Sequence, residues 1–115
     1  MELRCEPDGE LEGTIVAVPR GHLDVQGAVD LWDGVTRQLD TATSSLLIDL
    51  SSVDLITSAG IGALVRLLHR VQSLGGRLAV FGPNPRVREV IEVVMLAAVF
   101  RLSTTRDEAR RKLRT

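Results

Sequence analysis

The chain has 115 residues, 44% of them hydrophobic and 25% charged, with a formal net charge of −1 at pH 7. That size and balance suit one folded domain over residues 1–115 and argue against disorder. A near-neutral charge, 3% aromatic content and no Tyr remove the field and the stacking surface that nucleic-acid binders use, and one cysteine, Cys5, allows neither an internal disulfide nor a Cys-rich metal site.

The longest apolar run, VVMLAAVF, falls far short of the ~18 residues that cross a bilayer. The start, MELRCEPDGELEG, is acidic and mixed, unlike a signal peptide. A cytoplasmic protein with no membrane partner is the expectation.

Along the chain, LRCE (Leu3 to Glu6) and TIVAV (Thr14 to Val18) read as strands, and the turn-rich PDGE between them predicts a hairpin with a longer loop. Pro19 and Gly21 are expected to end the second strand. After Asp24, an N-cap type, Ala28, Leu31, Trp32, Val35 and Leu39 recur at helical spacing, opposite Asp30, Asp33, Arg37 and Gln38. The continuous apolar run SLLIDL (Ser45 to Leu50) predicts a strand covered on both faces.

Ser58 then opens a helix with Ile61, Leu64, Val65, Leu68, Val71 and Leu74 on one stripe, stopped by Gly75 and Gly76. RLAVF (Arg77 to Phe81) reads as a strand, and Asn84-Pro85 as a cap with Pro at the first helical position. Val87, Val90, Ile91 and Val94 give the next helix its buried face. Val99 to Leu102 suggests an edge strand, and Thr105 to Arg114 a last helix with Asp107/Arg111 and Glu108/Lys112 at i,i+4 spacing. The order β-β-α-β-α-β-α-β-α implies an α/β protein with a mixed, mostly parallel sheet and packed helices. Sites in such sheets lie beyond the carboxyl ends of the strands, where Ser58 falls.

ITSAGIGALV (Ile56 to Val65) carries the chemistry worth weighing. A Ser at a helix start caps it by accepting a backbone N–H bond, which accounts for Ser58 without a function. Gly60 and Gly62 fit capping less well, because glycine costs up to about 1 kcal/mol relative to Ala inside a helix. Together they would leave the helix start bare for another surface to approach, and local chemistry leaves both readings open. Nucleotide binding is excluded: Gly60-x-Gly62 is followed at the third glycine's place by Val65, and no G-x-x-x-x-G-K-[ST] occurs.

Asp49 is expected to end its strand by accepting loop N–H bonds, and Asp54 to be solvated, rather than to form an acid–base pair. His22 and His69 have no metal-ligand cluster around them, and no nucleophile elbow or oxyanion signal supports a triad. Trp32 reads as core, Cys5 as inert, and RRKLR as a solvated helix face balanced by Asp107 and Glu108. No catalytic group, metal site or cofactor is expected, so the chain reads as a binding protein rather than an enzyme.

DLSSVDLITSAGIGAL resembles the signature of STAS domains, the fold of anti-sigma factor antagonists. GHLD (Gly21 to Asp24) resembles that family's G-x-L-D turn, and GGRLAVFG its fourth strand; the likeness runs from about Thr14 to Ala109. The resemblance implies that Ser58 is the phosphoacceptor for an ATP-binding anti-sigma factor serine kinase, with Asp24 nearby. A metal-dependent serine phosphatase would reset the switch, and the output would be sigma-factor-dependent transcription, as in a stress response. Several members carry Asp immediately before the acceptor; Thr57 stands there here and is a second candidate acceptor. The implied contact surface comprises Asp24, Thr57, Ser58, Ala59, Gly60, Gly62, Ala63 and Arg66, with Asn84 to Arg88 beside it. The alternative is a non-switching STAS module, such as the accessory subunit of a lipid-transport ATPase, in which Ser58 is only cap and contact.

Overall fold

The computed structural model describes residues 1–114. Its elements are β1 (Glu2–Pro7), β2 (Thr14–Leu23), α1 (Val25–Thr36), β3 (Ser45–Asp49), β4 (Val53–Ile56), α2 (Ser58–Ser73), β5 (Leu78–Phe81), α3 (Pro85–Val93) and α4 (Arg106–Leu113). The strands form the expected mixed, mostly parallel sheet in the order β1-β2-β3-β5, with β4 joined to β2. β1 and β2 are the antiparallel hairpin; the other pairings are parallel.

β2 organises the sheet because it is long enough to serve two neighbours in turn. Its residues Thr14 to Ala17 pair with β3, and Gly21 to Leu23 pair with β4. Contrary to the expectation from sequence, Pro19 and Gly21 do not end this strand. Pro19 falls between the two paired stretches, where no strand borders it on that side, so its missing N–H is tolerated. Gly21 supplies a φ of 107° at the register shift that lets β2 pass from one partner to the other.

Alternation then divides the core. Ile15, Ala17, Leu46, Ile48, Leu78 and Val80 share one cluster with Leu31 and Val35 of α1, Leu64, Leu67 and Val71 of α2, and Val87 and Ile91 of α3. Val16, Val18, Leu47, Ala79 and Phe81 form a second cluster with Ala109 and Leu113 of α4. Strands buried on both faces read as unbroken apolar runs, which makes SLLIDL and RLAVF legible in the sequence.

Two stretches differ from the sequence expectation. β4 is a strand that the sequence does not announce, since four residues with Asp54 and Leu55 exposed carry almost no strand pattern. The expected strand at Val99 to Leu102 is instead a turn in which Arg101 has a φ of 49° and Phe100 is fully buried. The segment meets β5 through an isolated parallel bridge of Ser103 with Phe81 and a bond from Val80 N–H to Phe100 O at 3.0 Å. α4 closes the fold through its own ion pair: Arg110 Nη2 lies 2.7 Å from Asp8 Oδ1, and the Asp8 side chain is fully buried. The expected Glu108–Lys112 pair forms at 3.3 Å, whereas Asp107 pairs with Arg110 rather than Arg111.

Candidate partner-binding site

Leu23 and Ile56 are paired residues on the parallel strands β2 and β4, and each strand runs directly into a helix. α1 and α2 therefore start side by side at one end of the sheet. Asp24 caps α1 by accepting from Gly27 N–H at 2.9 Å. That hydrogen bond holds the Asp24 carboxyl below its usual range against the opposing pull of desolvation. Thr57 is the matching cap residue of α2, but its side chain makes no cap bond. Its N–H donates to Leu23 O at 3.1 Å and its Oγ1 to the same oxygen at 3.4 Å, so the half-buried Thr57 hydroxyl is turned onto β2.

Ser58 is thus the first residue inside α2, not its cap, and the capping reading of this serine is corrected. It is exposed, and among the described residues its hydroxyl has no hydrogen-bond partner. The reason lies one residue earlier: the extended backbone of Thr57 takes the cap position, leaving the Ser58 side chain outside the helix turn.

The two glycines divide in role. Gly60 is buried, and a Cβ there would run into the Leu23 carbonyl oxygen and lie 2.8 Å from Leu23 Cγ and 2.9 Å from Ile56 Cγ1. It lets α2 approach β2, so its bareness serves the protein's own packing rather than an approaching surface. A Cβ added at Gly62 would have nothing within 4 Å and would face open space. Ala63 is only 3% exposed, while Ala59 is half-buried and Arg66 is exposed.

Ala59, Gly62, Ala63 and Arg66 form one wall of a groove of ≈ 450 Å³ between α1 and α2. The other wall, unnoticed from sequence, is Val25, Ala28, Val29, Trp32 and Asp33 of α1. Val25 is 72% and Val29 48% exposed, so the apolar stripe of α1 is wider than the core requires. Trp32 is half-buried against the core, and the Arg66 guanidinium carbon sits 4.2 Å from its ring centroid. The sequence signal was present in Val25 and Val29, one turn apart beside the core stripe.

The remaining candidates do not line this groove. Asp49 accepts from Ser51 N–H at 2.9 Å, as expected of a strand-ending carboxylate. Exposed Asp54 meets exposed His22 at 2.7 Å across β4 and β2, and His69 is exposed on α2. Asn84 caps α3 through Val87 N–H and donates its amide to Val53 O at 3.1 Å, tying α3 to β4. Among the described residues no group of three or more His, Cys, Asp or Glu could hold a metal ion, and no helix is long and apolar enough to cross a membrane.

Fold and site together define a mixed α/β protein that displays, where two helices begin, a serine hydroxyl with no hydrogen-bond partner among the described residues. The chain belongs to the STAS domain family, whose model matches residues 9–109. It is 29% identical over 100 residues to a Thermotoga neapolitana protein described as a candidate anti-sigma factor antagonist, covering 86% of this chain and 88% of that one. A crystal structure of a Thermotoga maritima protein described in the same terms superposes with a TM-score of 0.85 at 22% identity, covering 98% of this chain and 95% of the other. The unphosphorylated form of the anti-sigma factor antagonist SpoIIAA superposes with a TM-score of 0.78 at 19% identity, covering 98% and 96%; its phosphorylated form gives 0.69 at 18%, covering 96% and 98%.

Proposed function

We propose that this chain is an anti-sigma factor antagonist that binds an anti-sigma factor serine kinase through the Ser58 end of the sheet and is released when the kinase phosphorylates Ser58. The observation that carries the reading is the placement of Ser58: exposed, first in α2, and free of any hydrogen bond within the described residues. The similarity to proteins named as anti-sigma factor antagonists, one of them solved in a phosphorylated form, supports the same reading.

The physical chemistry of a switch follows from that placement. A phosphoryl group adds about −1.5 to −2 charges and strong acceptor oxygens. At the first turn of α2 this charge meets unsatisfied N–H groups and the positive end of the helix dipole, so the fold survives. At an interface the same charge must be stripped of water, and the ionised carboxylate of Asp24, which caps the neighbouring helix, repels it. Binding is lost while folding is kept. The kinase supplies ATP and its metal; this chain supplies the hydroxyl, and a metal-dependent serine phosphatase restores it. Thr57 is a poorer acceptor than Ser58, because its hydroxyl is engaged with Leu23 O.

Phosphopeptide mass spectrometry after incubation with ATP and anti-sigma serine kinases, with Ser58→Ala as control, tests the proposal. Phosphate on Ser58 is the expected result. A stable complex that never acquires phosphate would replace the switch with a constitutive binding module of the kind that serves as an accessory subunit.

A further inference from the structure

The groove between α1 and α2 is built differently on its two sides. One wall presents Val25 and Val29, exposed at 72% and 48%. The opposite wall is bare at Gly62, where an added Cβ would meet nothing within 4 Å. Between them is space for an apolar side chain to lie against valine methyls and helix backbone. At the far end, Arg66 is held over the Trp32 ring at 4.2 Å, and no carboxylate among the described residues pairs with it. The contact keeps the exposed guanidinium at this end of the groove, and a guanidinium can receive a partner's carboxylate in two parallel bonds.

Position ties the groove to the serine. Ala59, which follows Ser58, and Val25, which follows Asp24, both line its near end. From Ala59 to Arg66 the lining runs seven helical steps, roughly 10 Å at 1.5 Å per residue. A surface that touches Ser58 therefore continues into the groove without a gap. The only charged groups of the lining are Arg66 and Asp33 at its exposed rim, and a mainly apolar groove with a cation at one end suits the anchor side chain of a protein partner.

We infer that this groove seats an aliphatic side chain of the anti-sigma kinase between Val25, Val29 and Gly62, with a neighbouring carboxylate of the kinase on Arg66. This rests on the function proposed above and adds the means by which the kinase holds the chain before it reaches Ser58. Phosphorylation at the groove mouth then acts on a contact whose apolar part is already desolvated.

Trp32 is the one tryptophan of the chain, so 5-fluorotryptophan labelling gives a single ¹⁹F resonance from inside the groove. The probe is the kinase that phosphorylates Ser58, titrated without ATP. The resonance shifts on binding, and Gly62→Leu, which fills the groove, lowers affinity at least tenfold while its melting temperature stays at or above the parent's. Val29→Asp and Arg66→Glu each weaken binding at least tenfold, whereas Val93→Asp, on an exposed residue of α3 outside the groove, leaves it unchanged. Parent-like affinity in Gly62→Leu and Val29→Asp, with Ser58 still phosphorylated, overturns the groove assignment and leaves the switch standing. A concentration-dependent shift without kinase also overturns it, since the occupant is then a second copy of the chain. Failure of the parent to bind or be phosphorylated by any kinase tried overturns both readings.

Discussion

The same substitution made two residues apart in α2 should change stability in opposite directions. In Gly62→Ala the new methyl meets open space, so the chain gains helix propensity, about 1 kcal/mol at most, with no contact to offset it. In Gly60→Ala the methyl collides with the Leu23 carbonyl oxygen and lies 2.8 Å from Leu23 Cγ and 2.9 Å from Ile56 Cγ1. That oxygen is backbone and also accepts the Thr57 N–H at 3.1 Å, so it cannot retreat without loosening the β4–α2 turn. Overpacking of this kind costs about 1–3 kcal/mol, and an immovable neighbour puts it at the upper end. Set against the propensity gain, Gly60→Ala should lose about 2 kcal/mol net. The two variants should then differ by about 3 kcal/mol in urea denaturation, and by on the order of 10 °C in melting temperature for a chain of this size. If Gly60→Ala matched Gly62→Ala in sign, the close packing of α2 on the end of β2 would be wrong. The Ser58 turn would then need to be repositioned.

Ser58→Ala should leave the folding stability within about 0.5 kcal/mol of the parent, because Ser58 caps nothing and Ala is a good helix former; the same variant takes no phosphate from the kinase. Ser58→Asp should bind the kinase more weakly in a pull-down or calorimetric titration, and parent-like affinity would count directly against the charge mechanism. Phe100→Ala removes the fully buried ring that anchors the turn after α3, and should cost about 3–5 kcal/mol in chemical denaturation. Arg110→Ala strands the buried Asp8 carboxylate and should cost about 3 kcal/mol near neutral pH. Burial alone would raise the Asp8 pKa, but hydrogen bonds from Arg110 and from the N–H groups of Leu11 and Glu10 outweigh it and hold the carboxyl below its ordinary value. Its contribution to folding is therefore complete above about pH 4, the unfolded value, and is lost as pH falls through the lower folded value. Urea midpoints followed between neutral and acid pH should fall less steeply for Arg110→Ala than for the parent.

Much of the fold was legible because its signals are local. SLLIDL and RLAVF are continuous apolar runs, Asn84-Pro85 is a start signal, and Gly75-Gly76 closes α2 with Gly76 N–H on Val71 O at 2.7 Å. β4 was not legible, since its four residues are a strand only because the far half of β2 is free to pair with them. The segment after α3 misled for a related reason: Val99 to Leu102 is apolar enough for a strand, but burial of Phe100 forces a turn and leaves an isolated bridge of Ser103 with Phe81. In the site, Ser58 and Asp24 could be singled out from motif and resemblance. Val25 and Val29 carry a signal as apolar residues beside the core stripe, but that they face α2 across a groove with Trp32 could not be read, because which side of α1 stays uncovered depends on where α2 lies.

By itself, then, the order of residues determined the α/β class, the caps of α1, α3 and α4, and the small-residue turn that carries Ser58. Each of these depends on the conformational preference of a residue and its near neighbours. Only the tertiary structure decided that Thr57, not Ser58, takes the cap position of α2, that Gly60 serves internal packing while Gly62 faces outward, and that α1 and α2 enclose a groove. Those outcomes follow from the parallel pairing of β2 with β4, residues more than thirty apart in sequence, which sets two helix starts side by side. No local propensity encodes that pairing.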